Sequence, residues 1–161
     1  MIMISQMNAI QLSLIAALLT LAACHTPAPS ESETRPIGET ALSSSALAEA
    51  RSGRVQFSQH VQPILEAKCV ACHNHEALPG KVDLSNRDAA RKSGGLGLWI
   101  VPGKPDQSLI LTKVCAGFDH SKAMPPVGQQ ITAEELAVLR KWISEGADWP
   151  SGRAGTLRLP Q

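Results

Sequence analysis

Apolar residues form one nearly unbroken run at the N-terminus of the chain and several short periodic sets after it. Residues 10–23 are apolar except for Gln11, Ser13 and Thr20, and residues 1–24 contain no Asp, Glu, Lys or Arg. A helix of this length spans about 21 Å, which is shorter than the ~30 Å hydrocarbon core of a bilayer. The run therefore predicts a signal peptide over residues 1–23 rather than a transmembrane anchor.

The periodic sets predict short helices, because their apolar residues recur at intervals of three and four positions. The alternation of apolar and polar residues that marks a half-buried strand is not seen in the sequence. The helices predicted are one carrying Phe57, Val61, Ile64 and Leu65 that leads into Cys69, one from Ser85 to Ser93, one carrying Leu109, Ile110 and Val114, and one from the capping box Thr132–Glu135 to Gly146. The predicted fold class is all-α, with about four short helices.

Polar segments flank these helices on both sides. Residues 25–54 consist mainly of Pro, Ser, Thr, Glu, Ala and Gly, and they cannot bury enough apolar surface to offset the entropy of ordering. We therefore predict a flexible linker over residues 24–54, a folded domain over residues 55–150 and a loose tail over residues 151–161.

The composition excludes one class of function and raises a question about the core. Lys and Arg total 15 while Asp and Glu total 14, so the chain lacks the basic surplus typical of nucleic-acid binding. The aromatic residues are two Phe and three Trp, with no Tyr. So few large rings suggest that another apolar group helps to fill the interior of the domain.

The residues most specific for one chemistry are Cys69-Val70-Ala71-Cys72-His73. They form the C-x-x-C-H pattern of covalent haem c attachment. In this pattern the two thiols form thioethers with the two vinyl groups of haem, and the adjacent His donates an imidazole nitrogen to the iron. We predict that Cys69, Cys72 and His73 bind one haem c.

A zinc site, a redox-active dithiol and a disulfide are the alternatives for these residues. Structural zinc requires four ligands, usually from two separated pairs, and Cys115, His75 and His120 stand at spacings that form no recognised second pair. A thioredoxin-like dithiol is expected in a βαβ unit, which the pattern does not predict. Cys115 is predicted to be a buried small residue, with intermolecular pairing as the other option.

The iron would need a second axial ligand, and the segment around Met124 offers one. Pro125 and Pro126 follow this residue and restrict its backbone, so that its thioether is held in a defined place. A soft sulfur ligand stabilises ferrous iron and raises the reduction potential. His120 is the rival ligand, and His60, which belongs to the preceding helix, is less suitably placed.

The end of the apolar run, Leu21-Ala22-Ala23-Cys24, resembles the lipobox of bacterial lipoproteins. The resemblance implies that cleavage leaves Cys24 as a lipidated N-terminus. The protein would then be periplasm-facing and anchored to the cell membrane by lipid, with the outer membrane as one option. The alternative is an ordinary signal peptide with an incidental cysteine.

The order of motifs across residues 55–150 resembles that of class I c-type cytochromes, in particular the small planctomycete-like cytochrome c domain of bacterial lipoproteins. The main matching segments are Cys69–His73, Val82–Leu84, Val101–Pro105, Met124–Pro126 and Trp142–Pro150. The resemblance implies a covalent haem with His73 as proximal and Met124 as distal ligand. It also implies that an N-terminal helix crosses a C-terminal one.

One departure from this family concerns the residue that orients His73. In class I cytochromes a Pro carbonyl often accepts the N–H of the proximal His, but Pro79 lies too close to the motif to match that residue. The hydrogen-bond partner of His73 therefore stays open at this point.

The expected function is that of a membrane-tethered monohaem electron carrier, not an enzyme, which exchanges single electrons with redox proteins outside the cytoplasm. One alternative is a domain with five-coordinate iron, which would sense a gas or act like a peroxidase, with His120 as a distal group. Another is a zinc-stabilised interaction module.

Overall fold

The computed structural model describes residues 40–115, 124–125 and 130–159, with the side chain of Cys115 excluded. Within these residues the chain forms helices and no strand, which confirms the all-α prediction for this part of the chain. The α-helices are α1 (Ser44–Ser52), α2 (Gln62–Lys68), α3 (Arg87–Ser93), α4 (Leu109–Cys115) and α5 (Ala133–Ser144). A π-helical turn (Phe57–Val61) precedes α2, and 3₁₀ turns occupy Pro79–Lys81, Pro105–Gln107 and Gly152–Gly155.

Local capping explains where two of the helices begin. The Thr132 hydroxyl accepts the N–H of Glu135 at 3.2 Å, and the Glu135 carboxylate accepts the N–H of Thr132 at 2.9 Å, so the predicted capping box is confirmed. At α3 the N-cap is Asn86, whose side chain accepts the N–H of Ala89, one residue later than the predicted start at Ser85.

Helix α5 lies at the centre of the packing and contacts α1, α4 and the π-helical turn. Its buried face includes Leu139, Trp142 and Ile143. The Phe57 ring lies 6.0 Å from that of Trp142 and 5.0 Å from that of Trp149. This aromatic cluster fixes the segment that leads into α2 against α5 and so positions Cys69 at the end of α2.

Residues 40–54 belong to the folded body, which differs from the linker predicted over residues 24–54. Leu42 and Ala50 are buried. The Lys141 ammonium donates to the carbonyls of Ala50 and Gly53 at 2.8 and 2.6 Å and so caps the C-terminal end of α1. Residues 40–54 have few apolar side chains, and hydrogen bonds to α5 help to hold them on the domain instead. The composition of the segment does not reveal these bonds.

The C-terminal tail also packs on the domain instead of lying loose. Leu157 is buried, and its N–H donates to the carbonyl of Ser85 at 2.8 Å. The indole N–H of Trp149 donates to the carbonyl of Gly155 at 2.8 Å. A Cβ added at Gly155 would lie 1.8 Å from the carbonyl oxygen of Pro150, so the close approach requires glycine.

Several predictions fall on residues outside the described ranges. They concern the signal peptide, Cys24, the linker over residues 24–39, the burial of the Cys115 side chain and His120. Among the helices of the described ranges, none has the length and apolar character needed to cross a membrane.

Candidate functional site

The candidate site is an apolar cleft beside the C-terminal end of α2. It is lined by Cys69, Cys72, His73 and Met124, the four residues proposed from the sequence to hold a cofactor. Most of the remaining lining is hydrophobic, contributed by Val82, Leu84, Trp99, Ile110, Val114 and Pro125. The described residues thus bring two thiols, an imidazole and a thioether together on one apolar surface.

The two cysteines lie on a compact turn that follows α2. The carbonyl of Cys69 accepts the N–H groups of Cys72 and His73 at 3.1 and 2.9 Å. The buried side-chain amide of Asn74 donates to the carbonyls of Val70 and Ala71 at 2.9 and 3.1 Å. These bonds between near neighbours in the sequence fix the turn, so that Cys69, Cys72 and His73 all line the cleft.

The imidazole of His73 is 7% exposed and is oriented by a backbone carbonyl. Its Nδ1–H donates to the carbonyl of Val82 at 3.3 Å, which answers the question left open by the sequence. In the described residues Nε2 then has no protein partner, as an iron-ligating nitrogen requires. Burial holds the pKa of His73 below its ordinary value, although the bond to Val82 acts in the opposite direction. The ring is therefore kept neutral, which is the form that binds metal.

The environment of Cys69 argues against a redox-active dithiol. Burial raises the pKa of the Cys69 thiol to about 12, and the negative charge of Glu135 acts in the same direction. A dithiol that exchanges disulfides needs a lowered pKa at its attacking thiol. Both thiols are free, and Cys72 is exposed.

Met124 lies in the cleft and is tied to the end of α4. Its N–H donates to the carbonyl of Lys113 at 3.1 Å, and its side chain is partly buried. Lys113 and Lys68 also line the cleft, where they place positive charge beside an apolar surface.

The other described histidines do not line the cleft. His60 is buried, and its Nδ1 accepts the N–H of Gln56 at 2.9 Å. His75 is exposed, and its Nε2 lies 3.7 Å from the carboxylate of Glu76. Within the described ranges, no group of three or more His, Cys, Asp or Glu side chains converges as a metal site. The zinc alternative therefore gains no support from this part of the chain, while His120 lies outside it.

Two contributors to the site are not evident from residue types alone. The role of Val82 belongs to its backbone carbonyl, which no side-chain pattern reveals, although Val82–Leu84 is one of the segments that resemble the family. Trp99, whose role as core or rim residue the sequence leaves open, lines the cleft with its ring centroid 6.0 Å from that of His73.

Comparison with known families agrees with the geometry. Residues 69–128 match the family model described as Planctomycete cytochrome C. The match spans the two cysteines, His73, Val82 and Met124, and confirms the resemblance to a small cytochrome c-like domain. It supports haem c binding and haem-based electron transfer. Searches of curated proteins and of solved structures gave no match.

Proposed function

We propose that this cytochrome c-like domain binds one haem c covalently through Cys69 and Cys72, ligates the iron with His73 and Met124, and carries single electrons between redox proteins. The observation that carries the proposal is the presence of these four side chains on one apolar cleft. A bound porphyrin would also supply the large apolar group that the scarcity of aromatic residues calls for.

Each residue contributes a separate part of the function. Cys69 and Cys72 would hold the cofactor by two thioethers, so that it would stay attached in both oxidation states of the iron. Val82 orients the His73 ring and increases the basicity of its ligating nitrogen. Met124 would offer the iron a second ligand, a thioether sulfur, which favours the ferrous state. The cleft offers an apolar lining for the hydrophobic porphyrin. When bound, haem supplies an iron centre that accepts and releases one electron.

We further propose that Cys24 is lipidated and that residues 24–39 tether the domain to a membrane on the periplasmic side. The proposed tether is shorter than the linker predicted from the sequence, because the chain from Thr40 onward packs on the domain. A flexible chain of this length has an end-to-end distance of roughly 20–25 Å. Such a tether would keep the domain near redox partners at the membrane and raise their effective concentration.

The first experiment is a pyridine haemochrome assay on denatured protein from a host that attaches haem c. The native chain is expected to retain one haem per molecule after denaturation, and the double variant Cys69→Ser/Cys72→Ser to retain none. His73→Ala is expected to lower the haem content, whereas the control His75→Ala should leave it unchanged, because His75 is exposed and lies outside the cleft. Colourless native protein with zinc bound to its thiols would overturn the proposal.

Axial ligation is tested by spectroscopy. The ferric protein is expected to show the charge-transfer absorption of iron–thioether ligation, and Met124→Ala to abolish it and lower the reduction potential. Carbon monoxide binding to the untreated ferrous protein would instead favour the gas-sensing or peroxidase-like alternative. Cys24→Ser is expected to move the protein from the membrane fraction to the soluble fraction.

A further inference from the structure

A second concave surface of the described residues is lined by charged side chains and shares no residue with the cofactor cleft. Arg54 belongs to the segment after α1, Arg87 and Arg91 belong to α3, and Glu145 and Asp148 follow α5. These five residues define the arginine pocket. Segments that are far apart in the sequence thus bring three guanidinium groups to one surface.

The three guanidinium groups of the arginine pocket have no partner in the part of the chain that the structure describes. None of them donates a hydrogen bond or forms an ion pair there. The Glu145 carboxylate lines the same pocket, but it accepts the N–H of Val55 at 2.9 Å and lies 3.9 Å from the Lys141 ammonium. Since arginine stays protonated in proteins, three positive charges have N–H donors that are available to a ligand.

The charges on α3 show that its two arginines do not stabilise the helix. Arg87 and Arg91 are four positions apart, so they lie on the same face, where like charges repel each other. Arg87 is also the first residue of α3, where a positive charge opposes the helix dipole. By contrast, Asp88 and Lys92 place opposite charges at the same spacing, and they line a different pocket. An anion bound between the arginines would relieve the repulsion on their face of the helix.

We propose that the arginine pocket binds a phosphate group. A carboxylate has two oxygens in one plane and can be satisfied by a single guanidinium fork. Phosphate has oxygens in several directions, so it can accept from guanidinium groups that belong to separate segments, as Arg54 does from Arg87 and Arg91. Asp148 lines the same pocket, and the phosphate group is therefore held by direct hydrogen bonds rather than by net charge alone.

This phosphate group belongs either to the headgroup of a membrane phospholipid or to a soluble phosphate ester. Arg54 and Arg91 are exposed, so the pocket is accessible from the surface of the domain. The proposed lipid at Cys24 would keep the domain close to phospholipid headgroups. The inference does not rest on the haem function, because the arginine pocket and the cofactor cleft have no lining residue in common.

The first experiment measures the binding of inorganic phosphate by equilibrium dialysis at low ionic strength. The protein is the chain without its predicted signal peptide, with Cys24→Ser to exclude a lipid anchor. Arg91→Gln is expected to weaken binding roughly tenfold, because it removes charge-assisted hydrogen bonds. Lys92→Gln removes the same charge from the next residue, outside the pocket, and should weaken binding less than about twofold. Equal losses in the two variants would show binding to diffuse charge and would overturn the proposal.

A second pair of variants keeps the test decisive. Arg91 has no partner in the described structure, so Arg91→Gln should fold like the native chain, which circular dichroism verifies. If it does not fold, Arg54→Gln makes the same comparison from another segment. Asp148→Asn removes a negative charge from the pocket and is expected to tighten binding about twofold. Weaker binding in Asp148→Asn, or displacement of phosphate by acetate at the same concentration, would overturn the proposal.

The closing experiment distinguishes the two sources of phosphate by cosedimentation with vesicles of equal parts phosphatidylglycerol and phosphatidylcholine. Binding to vesicles that is lost in Arg91→Gln and kept in Lys92→Gln would identify the lipid headgroup. The same difference in dialysis alone would identify a soluble phosphate ester. If neither experiment shows a loss specific to Arg91→Gln, the proposal is overturned. Haem content and reduction potential would be unaffected by that result, so the electron-carrier function would stand.

Discussion

The attachment turn (residues 69–73) and the N-terminal segment (residues 40–54) are both ordered against the domain, but by different kinds of contact. The turn is held by bonds between near neighbours, such as those from Asn74 to the carbonyls of Val70 and Ala71. The segment is held by α5, about 90 residues away in the sequence, through Glu135 and Lys141. Local bonds can be inferred from a motif, whereas distant ones require the folded chain.

Of the three sets of contacts compared below, loss of the local bonds of Asn74 should lower the free energy of unfolding the most. The buried Asn74 side chain donates to two carbonyls and accepts the N–H groups of Glu76 and Ala77 at 2.8 and 3.2 Å. Asn74→Ala leaves these groups without partners and is expected to lower the free energy of unfolding by about 3 kcal/mol. Chemical denaturation measures this loss. The control is Asn86→Ala, at the N-cap of α3, which is expected to lose about 1 kcal/mol of stability. An equal loss of stability in both variants would show that Asn74 only caps a turn.

Loss of the distant bonds between α1 and α5 should lower the free energy of unfolding by an intermediate amount. The Lys141 ammonium donates to three carbonyls at the end of α1, and Lys141→Met is expected to cost about 2 kcal/mol while releasing residues 40–54. Limited trypsin digestion should then cleave after Arg51 or Arg54 faster than in the native protein. Arg140→Met removes the exposed pair with Asp106 and should cost less than about 1 kcal/mol, without faster cleavage. Unchanged cleavage in Lys141→Met would mean that other contacts hold the segment.

Loss of the contact between α2 and the C-terminal tail should have the smallest effect on stability. The stabilisation from this contact depends on pH. Burial alone raises the pKa of Glu66, but hydrogen bonds from Gln62 and Arg158 outweigh burial and hold the pKa below its ordinary value of 4.5. The unfolded chain therefore takes up a proton at higher pH than the folded one. The stabilisation from Glu66 is complete above pH 4.5 and is lost as the pH falls below that value.

Glu66→Gln tests this dependence on pH. The variant is expected to lose about 1 kcal/mol or less of stability at pH 7, because Arg158 is 82% exposed, and to lose less stability than the native chain between pH 5 and 3. Denaturation curves at several pH values measure both effects. Glu76→Gln, which removes a carboxylate from an exposed position, is the control. A Glu66→Gln profile parallel to the native one would assign the acid sensitivity to other carboxylates.

The same division between local and distant contacts explains what the sequence could predict. The capping box at Thr132 and the all-α class follow from short-range patterns, and the C-x-x-C-H motif with Met124 named the residues that the fold brings to one cleft. The fold also uses groups with no signature in residue type. The Val82 carbonyl orients His73, and the packing of residues 40–54 depends on Glu135 and Lys141, whose partners could be identified only in the folded chain.

The bond from His73 to the Val82 carbonyl makes the number of residues between these positions more important than their identity. A second bond, from the Leu84 N–H to the His73 carbonyl at 2.9 Å, also joins the two ends of this loop. Most side-chain replacements between residues 75 and 81 would leave both bonds in place, since neither bond uses a side chain of that stretch. Insertion or deletion of a single residue there would shift the register and turn the imidazole away from the cleft.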